Sequence, residues 1–563
     1  MNAANVSTFI TSTLRDLGVR YIFGVSGGSI VPFFRALQET PGITAVLAKH
    51  EQGAAFMADG FARVSRHIGV CCTTSGPGAT NALTGVYAAN IDGSQVLVLT
   101  GQPSLNSFGK GPLQDSSGVD QALSSPEVFR SATRFSEMVL SPQQAPQLLY
   151  NALRAMQNGH RGAAHLSIPA NLLAAPVDSL CSVPHPVSPP ATSIKTLKQL
   201  AKLLVSAKRP VILAGHGVIN AQGEFALAAL AEFLQIPVAT TLKGKGAFLE
   251  HHNLSIGVFG SFTTQAIDRI LSPDTDLLLV IGSSLNEVAT GGWPPALNDH
   301  AVTLQIDISP SSLGRNYAFD HLIQADARIV LEELLPLVID ETTARPALPP
   351  QHAPRLKSHD VQPPGTPLKP QTVALCLSEH LPSTAKLFID AGNCLSWAGE
   401  FIETRAYNSI FVPIGAGTMG CSIPMAIGGK FACPDRPVVS LIGDASFMMT
   451  AMEIHTSIEY ERPIVIVVLN NGGHGMVYGG ERILWEDEVL SRFQSRVDIA
   501  ALANGLGANA CVISTLAAFE RAFTDALASD TTTVLDVHVD IEEMPVALTQ
   551  RVNTLKQYFG VSS

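Results

Sequence analysis

The chain has 563 residues, more than one hydrophobic core accommodates, so its length predicts two to four domains. Apolar residues make up 46% of the chain and charged residues 15%, a balance that excludes extended disorder. The formal net charge is −11 and there is no block of Lys and Arg, which argues against nucleic acid and anionic membranes as partners.

The first predicted element is an amphipathic helix with Val6, Phe9, Ile10, Leu14 and Leu17 on one side. The segment lacks the basic and apolar regions of a signal peptide, and no apolar segment of the chain is long enough to span a bilayer. Eight cysteines without C-x-x-C spacing are typical of reduced thiols. We therefore expect a cytoplasmic protein with no membrane partner.

Short apolar runs alternate with helical patterns along the whole chain. The runs predict strands at 69–74, 95–101, 163–169, 210–215, 276–282, 302–308, 386–392, 437–444, 463–471 and 532–539. Strands that are apolar on both sides and separated by helices indicate parallel sheets covered on both faces. The fold class predicted is therefore α/β, with doubly wound parallel sheets.

Two proline-rich stretches, 181–193 and 345–370, interrupt this alternation. Such segments stay extended and solvated, so they are natural linkers. They predict three α/β domains, at 1–180, 190–342 and 370–563, with a proline-rich linker at 343–369.

Polar residues follow two consecutive apolar strands in the third predicted domain. Asp444 ends one strand and Asn471 ends the next, 27 residues later, which is the length of one strand–helix–strand crossover. A carboxylate, an amide oxygen and a free carbonyl such as that of Gly473 suit Mg²⁺, with phosphate oxygens filling the remaining positions. Backbone N–H groups of Ala445, Ser446 and Gly475 at helix N-termini would face the same phosphate.

A simpler interpretation stays open at this point. Asp and Asn after a strand are usually helix N-caps, and either residue alone would fit that role. The pair, with glycines beside each member, favours a diphosphate–metal site, and no HExxH, paired CxxC or Walker lysine motif competes with it.

The first predicted domain carries a second candidate site. Glu51 lies where a strand turns into a helix. The stretch TTSGPGATN (73–81) follows a strand and consists mostly of residues with small side chains. A glutamate at a helix start is usually a surface residue that complements the helix dipole. A buried one could share a proton with a heteroaromatic nitrogen, and the tight turn nearby would then approach a flat ligand.

The segments FGVSGGS, KHEQGAAFMADGFAR, TSGPGATN, VLVLTGQ and GDASFM…LNN…GMV occur in this order. In this respect the chain resembles the thiamine-diphosphate-dependent enzymes of the acetolactate synthase and pyruvate oxidase family. The resemblance implies that the first domain binds the cofactor's pyrimidine, that the last binds its diphosphate with Mg²⁺, and that the central domain is α/β.

The resemblance also implies roles for individual residues. Glu51 matches the glutamate that hydrogen-bonds the pyrimidine, Met419 the bulky side chain that bends the cofactor, and the Gly417 carbonyl an acceptor for its amino group. Asp444, Asn471 and Gly473 match the metal ligands. The implied cofactor contacts are Glu51, Pro77, Gly392, Asn393, Gly417, Met419, Gly443, Asp444, Ala445, Ser446, Asn471, Gly473, Gly475 and Met476.

Family members build each site from the first domain of one subunit and the last domain of its neighbour. The resemblance therefore implies a homodimer or homotetramer with active sites at the subunit interface. Glu51 would serve a cofactor held by the partner's Asp444.

The substrate side departs from acetolactate synthase. Gly480 stands where that enzyme has a tryptophan, Ala170 replaces a lysine, and LNEV (285–288) replaces the flavin-contacting stretch FDDR, so FAD binding stays open. Gly28 stands where simple pyruvate decarboxylases place an acid. The expected catalytic and substrate contacts are Glu51, Gln114, Gly28, Ser29, His474 and Gly480, although His474 could instead be a structural histidine.

The expected function is decarboxylation of a 2-oxo acid, pyruvate first, and transfer of the two-carbon carbanion to a carbonyl or other acceptor. Alternatives on the same scaffold are a lyase for 2-hydroxy ketones or 2-hydroxyacyl thioesters, a 2-oxo acid decarboxylase and a flavin-dependent oxidase. A catalytically silent binding protein is a further alternative, against which the intact Glu51, Met419, Asp444 and Asn471 weigh.

Overall fold

A computed structural model describes residues 5–177, 188–352, 356–363 and 365–559. Within these ranges the strands form three six-stranded sheets, and the strands pair in parallel within each sheet. Each sheet falls in one of the predicted domains, so the predicted α/β class with doubly wound parallel sheets is confirmed. Most of linker 181–193 lies outside the described residues.

The first sheet has the strand order β2-β1-β3-β4-β6-β5. Its strands are β1 (Tyr21–Val25), β2 (Thr44–Leu47), β3 (Gly69–Thr73), β4 (Val96–Gln102), β5 (Phe135–Met138) and β6 (Ala164–Pro169). Its helices are α1 (Val6–Asp16), α2 (Val31–Gln38), α3 (Glu51–Ser65), α4 (Pro77–Asp92), α5 (Ser125–Arg130), α6 (Ala145–Gln157) and α7 (Ala170–Leu173). The predicted N-terminal amphipathic helix is confirmed as α1.

The second sheet has the order β9-β8-β7-β10-β11-β12, in which the direction of strand addition reverses between β7 and β10. Its strands are β7 (Pro210–Ala214), β8 (Val238–Thr241), β9 (Ser255–Phe259), β10 (Leu277–Ile281), β11 (Val302–Asp307) and β12 (His321–Gln324). Its helices are α8 (Ile194–Ser206), α9 (His216–Ala221), α10 (Glu224–Leu234), α11 (Ile267–Ile270), α12 (Glu287–Thr290) and α13 (Ala327–Glu341). One short helix, α14 (Ser358–Val361), interrupts the second linker.

The third sheet repeats the order of the first, as β14-β13-β15-β16-β18-β17. Its strands are β13 (Lys386–Ile389), β14 (Ile410–Phe411), β15 (Val438–Gly443), β16 (Val465–Asn470), β17 (Asn509–Ile513) and β18 (Thr533–His538). Its helices are α15 (Pro370–His380), α16 (Asn393–Phe401), α17 (Ser422–Ala432), α18 (Asp444–Thr450), α19 (Ile454–Glu459), α20 (Gly475–Trp485), α21 (Ile499–Gly505), α22 (Leu516–Leu527) and α23 (Val546–Phe559). All ten strands predicted from the sequence are present.

No helix within the described ranges is both long and apolar enough to cross a membrane.

Helices α3 and α17 pack the first domain against the third. A Cβ on Gly60 would overlap the carbonyl of Met425, and a Cβ on Gly428 would overlap the carbonyl of Met57. The two helix backbones can come this close only because both positions lack a side chain. The carboxyl ends of the first and third sheets are therefore fixed relative to each other within one chain.

A buried carboxylate joins all three domains. Asp92, the last residue of α4, accepts hydrogen bonds from Arg63 of the first domain at 2.9 Å, Lys243 of the second at 2.8 Å and the Gly415 N–H of the third at 2.9 Å. Arg63 also pairs with Asp59, at 2.8 Å. Burial alone would raise the pKa of Asp92, but Lys243 and Arg63 hold it down at about 2.

Replacing Asp92 by Asn should lower the free energy of unfolding by about 3 kcal/mol, because the change removes one of two charged partners of the buried Arg63 and leaves the half-buried Lys243 without this pair. Since the folded-state pKa of Asp92 is depressed, its contribution is complete above the ordinary value of 3.8 and is lost as pH falls towards about 2. Urea denaturation of wild type and D92N across this pH range should show a difference that shrinks as pH falls. As a control, D16N removes an exposed pair with Arg15 and should cost less than ~1 kcal/mol.

Candidate active site

The predicted meeting of two strand ends in the third domain is confirmed. Asp444 is the first residue of α18, directly after β15. One carboxylate oxygen, Oδ2, accepts the N–H groups of Gly472 at 2.7 Å and Gly473 at 3.1 Å, in the loop after β16. The carboxylate therefore holds this loop against the end of the neighbouring strand.

Asp444 is 3% exposed, and burial raises the pKa of its carboxyl to about 6. The N–H groups of Gly472, Ala445 and Gly473 oppose this shift, since they favour the charged form. A buried carboxylate that is costly to ionise gains strongly from a nearby cation.

Asn471 lies beside Asp444 with its amide oxygen, Oδ1, buried and without a hydrogen-bond partner. The same holds for Oδ1 of Asn393, the first residue of α16. The N-cap residues are Gly443 for α18 and His474 for α20, so the interpretation of Asp444 and Asn471 as N-caps is wrong. Buried amide oxygens without donors are unusual, and a bound cation or N–H donor would satisfy them.

These residues surround a cavity of about 210 Å³ at the carboxyl ends of β13, β15 and β16. Strand addition reverses between β13 and β15, and ligands of open α/β sheets bind at such points. The predicted residues that line the cavity are Gly392, Asn393, Gly417, Met419, Gly443, Asp444, Ala445, Ser446, Asn471, Gly473, His474, Gly475 and Met476. The structure thus brings together the whole third-domain set of predicted cofactor contacts.

Sequence reasoning missed Asp390, which directly follows β13 and is fully buried. Its carboxylate accepts the N–H groups of Gly420 at 2.9 Å and Ser422 at 2.8 Å. These bonds fix the loop that carries Gly417 and Met419 in the cavity wall. Burial raises the pKa of Asp390, and both N–H groups oppose the shift.

Other lining residues were also missed. Cys394 and Trp397 come from α16, and Asp540 and Glu543 come from the segment after β18. The pattern of apolar residues on α16 gives no sign that two of them face a cavity rather than the core.

A second cluster lies at the carboxyl ends of β1 and β3 in the first domain. Ser29 Oγ lies 2.9 Å from Thr74 Oγ1 and accepts the Ser75 N–H at 3.1 Å. Gln114 Oε1 lies at 3.5 Å from Thr74 Oγ1. A Cβ on Gly28 would meet no atom within 4 Å. Thr74, which the sequence analysis missed, therefore connects Ser29 with Gln114. The predicted residue Gly28 belongs to the same cluster because it directly precedes Ser29.

Glu51 is half-buried at the start of α3 and belongs to this first-domain region. Its Oε2 accepts a hydrogen bond from Asn81 Nδ2 on α4 at 3.0 Å. A Cβ on Gly78, next to Pro77 at the start of α4, would lie 3.4 Å from Glu51 Oε1. Glu51 and Pro77 are thus brought together as predicted.

A carboxylate of the third domain fixes the segment before Glu51. Glu453 is 1% exposed, and its Oε1 accepts the N–H groups of Lys49 at 3.1 Å and His50 at 2.9 Å. Its other oxygen accepts the Thr456 hydroxyl at 2.8 Å. The sequence analysis missed this contact, which sets the position of the α3 N-terminus.

The two clusters do not form a single pocket within one chain. Every described residue that lines the third-domain cavity lies at or beyond Pro370. Glu51, Gly28, Ser29 and Gln114 are therefore outside it.

The two remaining predicted residues are His474, the N-cap of α20, and Gly480, within α20. His474 lines the cavity, and its ring meets Phe493 edge-on with centroids 5.7 Å apart. Gly480 is not among the described lining residues. It follows Val477, which does line the cavity, by three positions, so the two share a helix face, and a Cβ on Gly480 would meet no atom within 4 Å.

No group of three or more His, Cys, Asp and Glu side chains within the described ranges is arranged to hold a metal ion. The predicted metal ligands differ from such a group, since they combine one carboxylate with an amide oxygen and a backbone carbonyl.

Three family models match the chain. Residues 4–123 match the N-terminal TPP binding domain of thiamine pyrophosphate enzymes, residues 197–334 the central domain, and residues 390–537 the C-terminal TPP binding domain. The first model covers the Glu51 cluster, and the third covers the residues from Gly392 to Met476.

Relatives are similar over nearly the full length. The chain is 33% identical to a probable acetolactate synthase large subunit of Methanocaldococcus jannaschii, over 95% of this chain and 92% of the relative. It is 32% identical to the acetolactate synthase large subunit of Corynebacterium glutamicum, over 88% and 80%. It is 28% identical to the large subunit of acetolactate synthase isozyme 1 of Escherichia coli, over 95% and 94%.

Replacing Gly475 by Ala should weaken Mg²⁺ binding by roughly tenfold, because residues that orient metal ligands typically carry effects of this size. The new Cβ would overlap the Asn471 amide nitrogen and lie 3.4 Å from that of Asn393. Calorimetric titration with Mg²⁺ in the presence of thiamine diphosphate measures the change. G505A on α21 is the matched control, since its Cβ meets no atom within 4 Å. Equal affinities in the two variants would contradict the assignment of Asn471.

Proposed function

The chain belongs to the thiamine pyrophosphate enzyme family, in its acetolactate synthase-like branch, and from this premise we propose that it decarboxylates pyruvate and ligates the two-carbon unit to a carbonyl acceptor. The observation that carries the proposal is the pair Asp444 and Asn471 in one cavity, with the Asn471 amide oxygen buried and unpartnered. The catalytically silent alternative is not favoured, because the machinery of the family is present.

The residues of the third-domain cavity fit thiamine diphosphate with Mg²⁺. Asp444, Asn471 and the Gly473 carbonyl would hold the ion, and the unpartnered oxygens of Asn471 and Asn393 match that requirement. The N–H groups of Ala445 and Ser446 at the start of α18 would face phosphate oxygens. When bound, thiamine diphosphate supplies the carbon nucleophile that a 2-oxo acid needs in order to lose carbon dioxide.

The loop from Gly417 to Met419 would hold the ring system above the diphosphate site. Asp390 fixes this loop from behind through Gly420 and Ser422. The Met419 side chain would press the cofactor into its bent form, and the Gly417 carbonyl would accept from its amino group, as the family resemblance implies. Because Asp390 binds backbone groups, this support does not depend on the side chains of the loop.

We also propose that Glu51 acts on a cofactor held by a second copy of the chain. Glu51 is half-exposed and lies outside the cavity of its own chain. Met449 and Met452, which follow Asp444 closely in the sequence, stay about half exposed at 53% and 48%. Exposed apolar residues this close in sequence to Asp444 favour a subunit interface there. A homodimer is then the smallest active unit, and a homotetramer is consistent with it.

Seven cysteines within the described ranges are free thiols, and five of them are buried. Free thiols in this number support the proposal of a reducing, cytoplasmic location.

A subunit-mixing experiment tests the interface proposal. E51Q and D444N should each be inactive, and E51Q should also lose exchange of the cofactor C2 proton, since Gln cannot hold the pyrimidine nitrogen in the same way. A dimer with one subunit of each kind retains one site with Glu51 from one chain and Asp444 from the other. Random mixing should therefore restore about a quarter of wild-type activity.

The control mixes two preparations of E51Q that carry different affinity tags. This mixture should stay inactive. Mixed dimers of E51Q and D444N without activity would place both residues in the site of one chain, and the interface proposal would fail.

The acceptor side of the site is proposed to be wide. Val477 lines the cavity at 52% exposed, and Gly480 lies one turn further on the same face without a side chain. His474, at the start of the same helix, would contact the substrate carboxylate or carbonyl. Ser29 and Gln114, grouped through Thr74, would face it from the partner side. Such a site suits an acceptor larger than pyruvate.

Incubation with thiamine diphosphate, Mg²⁺ and pyruvate, together with a panel of aldehydes and 2-oxo acids, should give carboligation products by mass spectrometry. In G480W the larger acceptors should lose at least about tenfold in turnover relative to pyruvate, because the indole fills the open face. V477A, which enlarges the same face, serves as the control and should not lose the larger acceptors. Release of acetaldehyde alone would refute the ligation step, and an unchanged acceptor range in G480W would refute the pocket assignment.

A further inference from the structure

Gln102, the last residue of β4, is fully buried, and its amide makes two hydrogen bonds to a single residue. Its Nε2 donates to the Ser116 carbonyl at 2.6 Å, and its Oε1 accepts from the Ser116 hydroxyl at 2.9 Å. Ser116 is also fully buried and lies 14 residues further along the chain. Gln102 therefore fixes both the backbone and the side chain of one point in the loop that follows β4.

Ser116 connects this loop with the turn before α4. Its hydroxyl also accepts the N–H of Gly76, the N-cap of α4, at 3.3 Å. A Cβ on Gly76 would lie 3.0 Å from the Cβ of Gln114, so the turn and the loop are in direct contact. Through Ser116, Gln102 thus joins three segments: the end of β4, the loop that carries Gln114, and the start of α4.

The backbone of Gln114, two residues before Ser116, is strained. Its φ is 57°, in the left-handed region, where a residue other than glycine is unfavourable. Such strain persists only where the surrounding contacts impose it, and it is concentrated at functional sites. The bonds that Ser116 makes to Gln102 and Gly76 are contacts of this kind.

A chain of hydrogen bonds orients the side chain of Gln114. The Thr74 hydroxyl donates to Gln114 Oε1 at 3.5 Å, and Ser29 Oγ lies 2.9 Å from Thr74 Oγ1. Because Thr74 occupies the carbonyl end of the amide, Nε2 is the free end, and it donates to no acceptor in the part of the chain that the structure describes. An N–H donor with a fixed direction suits the carbonyl or carboxylate oxygen of a 2-oxo acid.

We propose that Gln102 is a positioning residue for Gln114. Through Ser116 it holds the Gln114 backbone in the left-handed conformation and so directs the Gln114 Nε2 group at the substrate. The proposal rests on the proposed function in one respect, since it takes the substrate to be a 2-oxo acid such as pyruvate. Gln102 is fully enclosed and acts only through Ser116.

Steady-state kinetics with pyruvate on single and double variants test this role. Q102M removes both bonds to Ser116 at similar side-chain size and should lower kcat/KM at least about tenfold, because small displacements of a substrate contact have effects of this size. Q114A should lower kcat/KM by a similar factor. Adding Q102M to Q114A should cost less than about twofold more, since Q102M acts through the side chain that Q114A removes. Losses that multiply in the double variant would indicate a structural effect alone and would overturn the proposal.

Q102E provides a pH profile that a loss of folding would not produce. A neutral glutamic acid has an O–H donor and an acceptor and can make both bonds to Ser116, whereas the carboxylate can only accept. Burial raises the pKa of such a carboxyl group, so Q102E should approach wild-type activity at acidic pH and lose it as pH rises through that pKa. Each activity is divided by that of wild type at the same pH, so the titration of other groups cancels. A pH-independent ratio for Q102E would contradict the proposal.

T100V is the matched control, since Thr100 is also fully buried on β4 but bonds to His165 Nε2, at 2.9 Å, rather than to Ser116. It should retain the wild-type kcat/KM within about twofold, because it shares no partner with Gln114. Its activity relative to wild type should not vary with pH.

Hydrogen exchange separates this proposal from the proposed function. The backbone N–H groups of residues 111–118 should exchange faster in Q102M than in wild type or T100V, because the loop loses its anchor on β4. This result does not depend on activity with pyruvate. Unchanged exchange in this loop would overturn the positioning role, whereas a wild-type protein that forms no carboligation product would overturn the proposed function alone.

Discussion

The carboxylate of Asp92 is the contact on which the arrangement of the three domains depends. It receives one donor from each domain, and two of these donors are charged. Helix α4 begins at Pro77, beside Glu51, and ends at Asp92, so one rigid element connects the first-domain cluster with the junction. Gly415 binds the same carboxylate two residues before Gly417, in the loop that enters the third-domain cavity. The first-domain cluster around Glu51 and the third-domain cavity are therefore both positioned by one buried charge.

The sequence predicted the inner strands because their composition follows from burial on both faces. β3, β4, β7 and β10 are buried along their entire length, and each contains a continuous run of apolar residues. The edge strands β2, β12 and β17 were missed because they are largely exposed and mix polar with apolar residues. β1 and β8 were missed for a different reason: they are short, and a glycine or two threonines interrupt their pattern.

Some residues of the candidate site could be predicted from the local sequence, whereas others depend on contacts between distant parts of the chain. Asp444 and Asn471 could be found because each follows an apolar strand and one crossover separates them. Asp390 could not, since its partners are backbone N–H groups 30 and 32 residues away, which carry no signal of residue type. The Thr74 contacts are similar, because the turn that brings Gln114 to it, 40 residues later, is set by tertiary packing. A sequence shows which side chains could bind a ligand or a metal ion. It does not show the hydrogen bonds that hold these side chains and their loops in place, because those bonds involve residues far away in the chain.

Glu453 adds a consequence for the way such chains can be divided or recombined. The backbone N–H groups of Lys49 and His50 donate hydrogen bonds to the Glu453 carboxylate, which lies more than 400 residues further along the chain. A separately produced N-terminal unit would keep its sheet and much of its core, yet these two amides would face water and the turn before Glu51 would lose its anchor. Chimeras that exchange that unit between relatives must therefore carry a matching acid in the C-terminal unit, or Glu51 will be misplaced.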